Sequence, residues 1–375
     1  MNEMDRKRPK VIHAIETGEP GGAEAILVQL AESLRDKYEP IGLVMEEGWT
    51  SKELRDKGIF VECMPLVKSF DVSWVTNAAR FIKENDVALI HSHEFSCNAY
   101  LTMAAKVAGV PIICTAHGKN YYPEKFYRRF AYRRVAATAD SFIAVSSDLK
   151  DFIVDSIGIK PKQIEVILNG IEIQRFEQKQ YDRNRIRAEL SLSDDNFVII
   201  VVAALFEMKG HKDLLQAIAL LGDEANTIKL LFVGDGYYKP DLVKLTEQLT
   251  LEDKVRFLGF RSDVAQLLSA SDLFILPSYS EGLPVSVLEA MAAKTLVLAT
   301  HVGGLGELIH DGKNGYLVEP KAAEQLADKI RLCYLENEAA AETMREAAYT
   351  LVCERFSSAT MLQQYVALYQ KLIDV

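Results

Sequence analysis

Short apolar runs alternate with helix-length amphipathic segments from one end of the chain to the other. Ten runs of four to six residues are bounded by turn residues, as is typical of strands that a parallel sheet buries on both faces. The runs are Val11–Ile15, Ile41–Met45, Val87–His91, Ile112–Thr115, Phe142–Val145, Val198–Ala203, Leu230–Val233, Val255–Leu258, Leu273–Leu276 and Leu296–Ala299. Their alternation with helices predicts an α/β protein built from doubly wound parallel sheets.

The pattern changes between Gly170 and Ser193, where the chain becomes polar and charged. A chain of 375 residues is too long for one ordinary core and suits two domains. We therefore expect two Rossmann-like domains that face each other across a cleft and are joined by this polar segment. In such folds ligands bind beyond the carboxyl ends of the strands, where the motifs described below are found.

Cysteine usage and apolar run length indicate the compartment. The five cysteines are odd in number and scattered, and no two form a C-x-x-C pair, which argues against a disulfide framework or a zinc knuckle. The N-terminus is charged, and no run approaches the roughly 20 apolar residues of a membrane span. We expect a cytoplasmic protein that is soluble or lies on a membrane surface.

The charge distribution bears on the choice of partner. The formal net charge is −10, and the excess of acid lies in the second half of the chain. Residues 1–170 contain 22 Lys and Arg against 23 Asp and Glu, which leaves 21 against 30 in the remainder. Because no basic stripe dominates the chain, nucleic acid is not an expected partner.

Two glutamates flank a predicted helix start. Pro284 suits the first turn of a helix, so that Glu281 lies in the preceding loop and Glu289 lies on the helix. A helix N-terminus attracts phosphate, whereas acidic side chains beside it bind hydroxyl groups. A nucleotide sugar carries both groups. The alternative is that both glutamates only interact favourably with the dipole of a surface helix.

A glycine-rich turn follows the first strand and contains Gly21 and Gly22. Glycines here let the backbone approach a phosphate or sugar closely. The turn lacks the G-x-G-x-x-G spacing of a dinucleotide site and the Gly-Lys-Ser/Thr of a P-loop. An ordinary strand-to-helix turn explains it equally well.

Histidines follow two neighbouring strands. His117 comes just after the strand Ile112–Thr115, where its side chain projects into the expected cleft, although a structural role is the alternative. His91 and His93 end the preceding strand. We do not expect them to bind a metal ion, because no third ligand of suitable spacing is evident.

Charged and glycine-rich turns follow the strands of the second half. Lys209 follows the strand Val198–Ala203, and a lysine held there supplies a fixed positive charge to a diphosphate leaving group. The alternative is a solvated loop lysine. Further glycine turns are Gly234-Asp235-Gly236, Gly259-Phe260-Arg261 and Gly303-Gly304. All of these turns follow strands, which puts them at one edge of the predicted sheet.

In chain order, these motifs resemble those of glycosyltransferase family 4, a large group of retaining enzymes with the GT-B fold. They are G-G-A-E, H-G, L-N-G-I from Leu168 to Ile171, K-G, G-D-G, F-L-G, S-E-G-L-P-x-x-x-L-E-A-M and G-G-x-x-E. The resemblance covers essentially the whole chain. It implies an acceptor-binding domain over residues 1–172, a linker over 173–192, a donor domain over 193–355 and a C-terminal helix over 356–375 that packs back on the first domain.

The resemblance implies transfer of a sugar from a nucleotide diphosphate sugar to an acceptor hydroxyl, with retention at the anomeric carbon. Glu281 then contacts hydroxyls of the donor sugar, Glu289 contacts those of the ribose, and Lys209 neutralises the leaving diphosphate. Backbone N–H groups that line the helix N-terminus near the diphosphate or sugar belong to Gly282, Leu283 and Val285.

The same resemblance implies that His117 lies near the anomeric centre. It also implies that Gly21 and Gly22 close over the phosphate and acceptor. It places the base near Phe260 and Arg261. No D-x-D motif occurs in the chain, which fits a site where a lysine and a helix dipole replace a metal ion. We expect neither a metal nor another cofactor.

One position departs from the family pattern. The arginine that usually stands five residues before the lysine is Ala204 here. Loss of one preorganised diphosphate-binding group removes ~3 kcal/mol of transition-state stabilisation. A catalytically weakened protein that binds sugar nucleotides is therefore one alternative to a transferase. A nucleotide-sugar epimerase of the same fold is another.

A basic and aromatic segment follows His117. It includes Arg128, Arg129, Arg133 and Arg134 among four aromatic side chains. Such a helix can rest on anionic lipid headgroups and gains about 1 kcal/mol per cation near the surface. The alternative is a helix that lines the cleft. The leading hypothesis is a transferase for cell-surface polysaccharide or glycolipid, with a glycan or lipid-linked acceptor, at the inner face of the membrane.

Overall fold

The computed structural model describes residues 8–68, 71–119, 126–177, 181–222, 226–335 and 338–374. The chain forms two compact units. The first comprises Met1–Asn169 together with Ala359–Val375, and the second comprises Gly170–Ser358.

The first unit contains a sheet of seven strands in the order β3-β2-β1-β4-β5-β6-β7. The strands are β1 (Lys10–Ile15), β2 (Glu39–Val44), β3 (Phe60–Cys63), β4 (Val87–His93), β5 (Ile112–Ala116), β6 (Ser141–Ala144) and β7 (Glu165–Val166). All of the strand pairs described in this sheet are parallel. Because the strands run parallel, their carboxyl ends form one edge.

Helices connect these strands, and a last helix from the end of the chain joins the same unit. They are α1 (Gly22–Ser33), α2 (Trp49–Asp56), α3 (Val72–Glu84), α4 (Phe95–Ala108), α5 (Phe126–Thr138), α6 (Ser147–Phe152) and the C-terminal α15 (Ser358–Ile373). The apolar side of α15 is anchored by Tyr365 and Tyr369, both of which are buried.

The second unit contains a parallel sheet of six strands in the order β10-β9-β8-β11-β12-β13. The strands are β8 (Phe197–Val202), β9 (Ile228–Val233), β10 (Val255–Gly259), β11 (Leu273–Leu276), β12 (Leu296–Thr300) and β13 (Tyr316–Val318). The helices are α7 (Arg183–Glu189), α8 (His211–Leu221), α9 (Lys239–Gln248), α10 (Val264–Ser269), α11 (Val285–Ala292), α12 (Leu305–Leu308), α13 (Ala323–Leu335) and α14 (Glu338–Arg355). Branched and aromatic side chains from the central strands fill its core, including Ile199, Phe232 and Ile275.

The structure confirms the α/β class and the two parallel-sheet, Rossmann-like units. All ten strands predicted from the apolar runs are present, each within two residues of its expected bounds. Three strands were not predicted, β3, β7 and β13, and all three lie at sheet edges. These three strands contain two to four residues, and none of them forms an apolar run of four residues.

Of the polar segment that was predicted as a linker, residues 173–192, the described residues 173–177 and 181–192 belong to the second unit. It contains a 3-10 turn over Ile173–Phe176 and the helix α7. Arg187 is buried, and its charge is compensated there. Its guanidinium pairs with Asp272 at 2.7 Å and also donates to the carbonyl oxygen of Ala270 at 3.0 Å. Arg187 is thus a buried and paired charge, whereas most other charged side chains described in the segment are exposed, including Arg175, Arg185 and Glu189.

Candidate active site

A lysine and a glutamate meet at the carboxyl edge of the second sheet. Lys209 ends a 3-10 turn that follows β8, and Glu281 lies in the loop between β11 and α11. Lys209 Nζ donates to Glu281 Oε1 at 2.7 Å. The Glu281 side chain is only 7% exposed, whereas that of Lys209 is 26% exposed. The pair therefore presents a partly accessible cation beside an almost buried carboxylate.

Two glycines let the loops that carry this pair pack closely. Gly210 has φ +67°, and a Cβ atom there would lie 1.9 Å from the carbonyl oxygen of Pro277. Gly303 has φ +57°, and a Cβ atom there would lie 2.1 Å from the carbonyl oxygen of Glu281. Only glycine fits both the backbone conformation and the space. The loops after β8, β11 and β12 are thus held together around the pair.

Helix α11 begins beside the pair, close to the start that the sequence predicts at Pro284. Pro284 is the N-cap of α11, and Val285 is its first residue. Gly282 and Leu283 are buried in the loop before it. The free amides of the first turn give this end of the helix a positive partial charge. Lys209 therefore lies near a second source of positive potential.

Glu289 lies in the second turn of α11. Burial raises the pKa of its carboxyl group to about 7, while the positive charge of Arg175 opposes the rise. Arg175 also donates to the carbonyl oxygen of Ser262 at 3.3 Å. Arg175 was not predicted to take part, because it lies in the segment interpreted as a linker. The charged character of that segment was the only feature of the sequence that pointed to Arg175.

The loop after β10 presents an aromatic ring and a paired arginine. Phe260 is 48% exposed. Arg261 forms two hydrogen bonds to Asp263, at 2.7 and 2.5 Å, and this pairing raises the pKa of the Arg261 guanidinium. The loop therefore offers an accessible ring for stacking, while the charge of Arg261 is already neutralised by its neighbour.

Ala204 lies in the turn after β8, where the family pattern has an arginine. Its carbonyl oxygen accepts from the backbone N–H of Phe206 at 2.8 Å. The turn packs against the loop after β9, because a Cβ atom at Gly234 would lie 2.1 Å from the carbonyl oxygen of Ala203. The backbone of this turn is well formed, and only the cationic side chain is missing.

In the first unit, the glycine turn begins α1. Gly21 is the N-cap of that helix. The hydroxyl of Thr17 donates to the carboxylate of Glu24, and a Cβ atom at Gly21 would lie 2.3 Å from Glu24 Oε2. Burial raises the pKa of Glu24. Gly21 thus makes room for a buried acid, a role that the sequence motif alone did not reveal.

Two further acids lie at the same edge of the sheet, after β1 and β4. Glu16 Oε2 accepts from the backbone N–H of Ser96 at 2.6 Å. Glu94 has φ +66°, which is rare for a residue other than glycine. Burial, with the nearby charges of Glu24 and Glu16, raises the pKa of the Glu94 carboxyl group to about 8. These acids were not predicted as site residues, because single glutamates in turns carry no motif.

His117 follows β5 and joins a group of histidines. Its Nε2 lies 2.8 Å from Nδ1 of His93. Burial lowers the pKa of His117 to about 3 and lowers that of His93 well below its usual range. Both rings are therefore neutral in the folded protein at neutral pH.

The premise that no third ligand of suitable spacing accompanies His91 and His93 is wrong. His13 in β1 lies opposite His91 in β4, and nitrogens of all three buried histidines lie within 4.8 Å of one another. His13 was overlooked because it lies within the apolar run of β1. His91 is already hydrogen-bonded through both nitrogens, to Tyr369 at 2.6 Å and Thr115 at 2.8 Å.

The four arginines of the basic segment lie on α5, but they differ in their surroundings. Arg133 donates to the carbonyl oxygen of Ile157 at 2.5 Å, and Arg128 lies over the ring of Phe95. Arg129 is half-buried and Arg134 is exposed. Two aromatic rings, Phe126 and Phe130, are 86% and 59% exposed. With Arg134 they follow an i, i+4, i+8 spacing along one face of α5.

Two family models match the chain on either side of the unit boundary. The model for "Glycosyltransferase Family 4" matches residues 20–175, and the model for "Glycosyl transferases group 1" matches residues 182–351. The chain belongs to glycosyltransferase family 4. This membership confirms the resemblance seen in the motifs, and family 4 glycosyltransferases are sugar-transferring enzymes.

Two curated relatives of the chain have names that state the sugar they transfer. The chain is 28% identical over 317 residues to an N-acetyl-alpha-D-glucosaminyl L-malate synthase of Bacillus anthracis, which covers 81% of this chain and 80% of the relative. It is 26% identical over 363 residues to N,N'-diacetylbacillosaminyl-diphospho-undecaprenol alpha-1,3-N-acetylgalactosaminyltransferase of Campylobacter jejuni, which covers 92% and 94%.

A solved structure shares the fold of this chain. The structure of Anabaena HepE in complex with UDP-glucose superposes with a TM-score of 0.87 at 25% identity, over 97% of this chain and all of that one. The similarity confirms the GT-B class of the two Rossmann-like units. In the described part of the chain, no helix combines the length and apolar character needed to cross a bilayer.

Proposed function

We propose that the chain is a retaining glycosyltransferase that moves a sugar from a UDP- or GDP-sugar to an acceptor hydroxyl, in the synthesis of cell-surface polysaccharide or glycolipid. One observation carries the proposal. The Lys209–Glu281 pair lies at the carboxyl edge of the second sheet beside the start of α11. It combines a cation for the departing diphosphate with a carboxylate for sugar hydroxyls.

The donor roles follow from the chemistry of each group. Lys209 and the first turn of α11, with Gly282, Leu283 and Val285, stabilise the negative charge that develops on the diphosphate. Glu281 accepts hydrogen bonds from hydroxyls of the sugar, and Glu289 accepts them from the ribose. The exposed ring of Phe260 stacks on the base. Arg261 supports that loop through its pairing with Asp263.

In the first unit, His117 acts at the reacting sugar, while Gly21 and Gly22 approach the phosphate and acceptor through their backbone. The reaction needs no metal ion, because Lys209 and the helix start supply the positive potential that a metal would otherwise supply. UDP-glucose in the HepE complex supports a uridine nucleotide as the donor carrier.

The acceptor is a glycan or a lipid-linked glycan, and the protein works at the cytoplasmic face of the membrane. The exposed rings of Phe126 and Phe130 beside Arg134 give α5 both an apolar and a cationic contact for anionic lipid. The name of the Campylobacter relative, which includes a diphospho-undecaprenol acceptor, supports a lipid-linked substrate. Arg128, Arg129 and Arg133 add cationic charge to the same helix.

A second candidate function is a sugar-nucleotide binding protein with little turnover. Ala204 is the observation that favours it, because the turn that usually carries an arginine has an intact backbone without the cation.

A screen of donors separates the two candidates. The purified protein is mixed with UDP-, GDP- and ADP-sugars, and both the melting temperature and the release of nucleoside diphosphate are measured. Stabilisation by one donor with release of its diphosphate supports the transferase. Stabilisation without release supports the binding protein, and no response to any donor contradicts both.

A further inference from the structure

Two exposed aromatic rings lie together at the carboxyl edge of the six-stranded sheet. Phe206 comes from the loop after β8 and Tyr237 from the loop after β9, and these two strands are neighbours. The rings stack with their centroids 5.1 Å apart and an interplanar angle of 18°. Phe206 is 38% exposed and Tyr237 is 69% exposed. Because one face of the Tyr237 ring lies against Phe206, its opposite face and its edges are left to the solvent.

Backbone contacts between the two loops hold the rings in place. The N–H of Leu205 donates to the carbonyl oxygen of Asp235 at 2.9 Å, and the N–H of Tyr238 donates to that of Leu205 at 3.0 Å. Gly236 allows this close approach, because a Cβ atom there would lie 2.5 Å from the carbonyl oxygen of Leu205 and 2.9 Å from Cδ1 of Phe206. The exposed pair is therefore built into the loops before any ligand binds.

The aromatic pair lies apart from the residues assigned to the base and the ribose. Leu215 of α8 and Leu242 of α9, the helices that follow the two aromatic loops, pack in one core with alternate side chains of the strands. Leu288 of α11 is buried but is not part of that core, as expected for a helix on the opposite face of a doubly wound sheet. Phe260 precedes α10 and Glu289 lies in α11. The pair is therefore free to bind a group other than the nucleoside.

Carboxylates flank the two rings. Glu207 follows Phe206 and is exposed. The side chain of Asp235, two residues before Tyr237, is 60% exposed, and it lies 3.6 Å from the ammonium group of Lys239. Two acids against one lysine leave an excess of negative charge, which repels phosphate and anionic lipid, whereas carboxylates accept hydrogen bonds from hydroxyl groups. The surroundings of the rings therefore favour a neutral ligand that has both an apolar face and hydroxyls.

We propose that Phe206 and Tyr237 form a platform that binds a neutral sugar ring of the acceptor, at a second sugar beyond the one that receives the transfer. The C–H face of a pyranose ring packs on the aromatic face, as apolar surfaces do on aromatic side chains. The hydroxyls at the rim of the sugar ring donate to the carboxylates of Glu207 and Asp235. The acceptor is then an oligosaccharide and not a single small molecule.

The platform is close to the proposed reaction centre. The N–H of Lys209 donates to the carbonyl oxygen of Phe206 at 3.0 Å, so the ring and the lysine assigned to the diphosphate belong to one turn. The sugar that receives the transfer must lie beside Glu281, which leaves the platform to the next sugar of the acceptor. The inference rests on the proposed function, in which the acceptor is a glycan.

The test follows the aromatic ¹H–¹³C NMR signals of the full chain, labelled with ¹³C-phenylalanine and ¹³C-tyrosine. Maltose, cellobiose, lactose, N,N'-diacetylchitobiose and α-1,3-mannobiose are titrated separately, and UDP and vesicles that contain anionic lipid are titrated in parallel. Phe206→Leu and Tyr237→Leu assign the two signals and remove the platform one ring at a time. Phe60→Leu is the matched control, because it removes a ring that is 58% exposed on β3.

We expect at least one disaccharide to shift the signals of Phe206 and Tyr237 together, with a Kd on the order of 1 mM. Phe206→Leu and Tyr237→Leu should each weaken this binding about fivefold or more, because each removes one ring of the stacked pair. Phe60→Leu should stay within about twofold of the parent. Neither UDP nor the vesicles should reproduce the shifts.

The proposal is overturned if no disaccharide shifts both rings, or if Phe60→Leu weakens the binding as much as Tyr237→Leu. Shifts caused by UDP and by no disaccharide would instead make the pair a contact for the base, and shifts caused only by vesicles would make it a lipid contact. A failure of the proposed function looks different, because the disaccharide would still bind while the protein turned over no donor. Donor turnover without any shift of the two rings would retain the transferase and remove the platform.

Discussion

Lys209 Nζ lies 2.7 Å from Glu281 Oε1, although 72 positions separate the two residues in the chain. In the protein without ligand, each charge neutralises the other. A donor that binds with its diphosphate near Lys209 and its sugar hydroxyls on Glu281 replaces this contact with two others. The pair therefore keeps the almost buried carboxylate of Glu281 compensated until the substrate arrives.

Replacement of Lys209 by methionine should reduce kcat by about 10²–10³-fold, because a preorganised positive charge at the leaving group acts mainly in the transition state. Lys209→Arg should retain more activity than Lys209→Met. Lys212→Met, which replaces an exposed lysine in the first turn of α8, serves as the matched control and should remain within twofold of the parent. Equal losses in Lys209→Met and Lys212→Met would show that Lys209 has no special role.

Ala204→Arg should raise kcat for the preferred donor by about tenfold or more, because it adds a second cation to the turn after β8. Met208→Arg adds a cation to the same loop at an exposed position and is the control for a general gain of charge. Steady-state diphosphate release measures both variants. A similar increase in the two variants, or none in Ala204→Arg, would mean that the missing arginine does not limit the reaction.

Donor affinity should depend on pH through Glu289, whose pKa burial raises to about 7. The ionised carboxylate accepts hydrogen bonds from the ribose hydroxyls more strongly than the protonated acid does. Binding of the donor therefore weakens as the pH falls through 7. We expect the Kd of UDP-glucose to rise about tenfold between pH 8 and pH 6 by calorimetry. Glu289→Gln should bind more weakly at pH 8 and show little change with pH. An unchanged slope in that variant would assign the dependence to another group.

Binding to anionic vesicles should depend on the exposed face of α5. Phe126→Ser with Phe130→Ser and Arg134→Glu should reduce sedimentation with vesicles that contain anionic lipid by at least tenfold, since both apolar contact and attraction to the headgroups are lost. Phe60→Ser removes a ring that is 58% exposed on β3 and is the control. If the triple variant sedimented to the same extent as the parent, α5 would not be the part of the protein that contacts lipid.

Much of the fold could be predicted because central strands of a parallel sheet are continuous apolar runs. The edge strands β3, β7 and β13 could not, since strands of two to four residues without a longer apolar run resemble loops. The donor motif was recognised because Glu281 and Glu289 lie on one local segment. The pairing of Glu281 with Lys209 required knowledge of which strands are neighbours.

The histidine group and Arg175 illustrate the same limit. His13 lies in the apolar run of β1 and His93 lies 80 positions later in the chain, so only the register of the sheet brings them together. Arg175 lies in a polar segment that has the composition of a linker. Its proximity to Glu289 and Ser262 follows from packing within the second unit, which composition does not encode.

The stereochemistry of the released sugar tests retaining transfer most directly. The purified protein, with a chelator present, is incubated with the UDP- or GDP-sugar that stabilises it most, and ¹H NMR follows the first sugar released, before mutarotation. We expect this sugar to have the anomeric configuration of the donor and to appear with one equivalent of nucleoside diphosphate. Release of the opposite anomer, or no diphosphate release by either the parent or Ala204→Arg, would contradict retaining transfer by this chain.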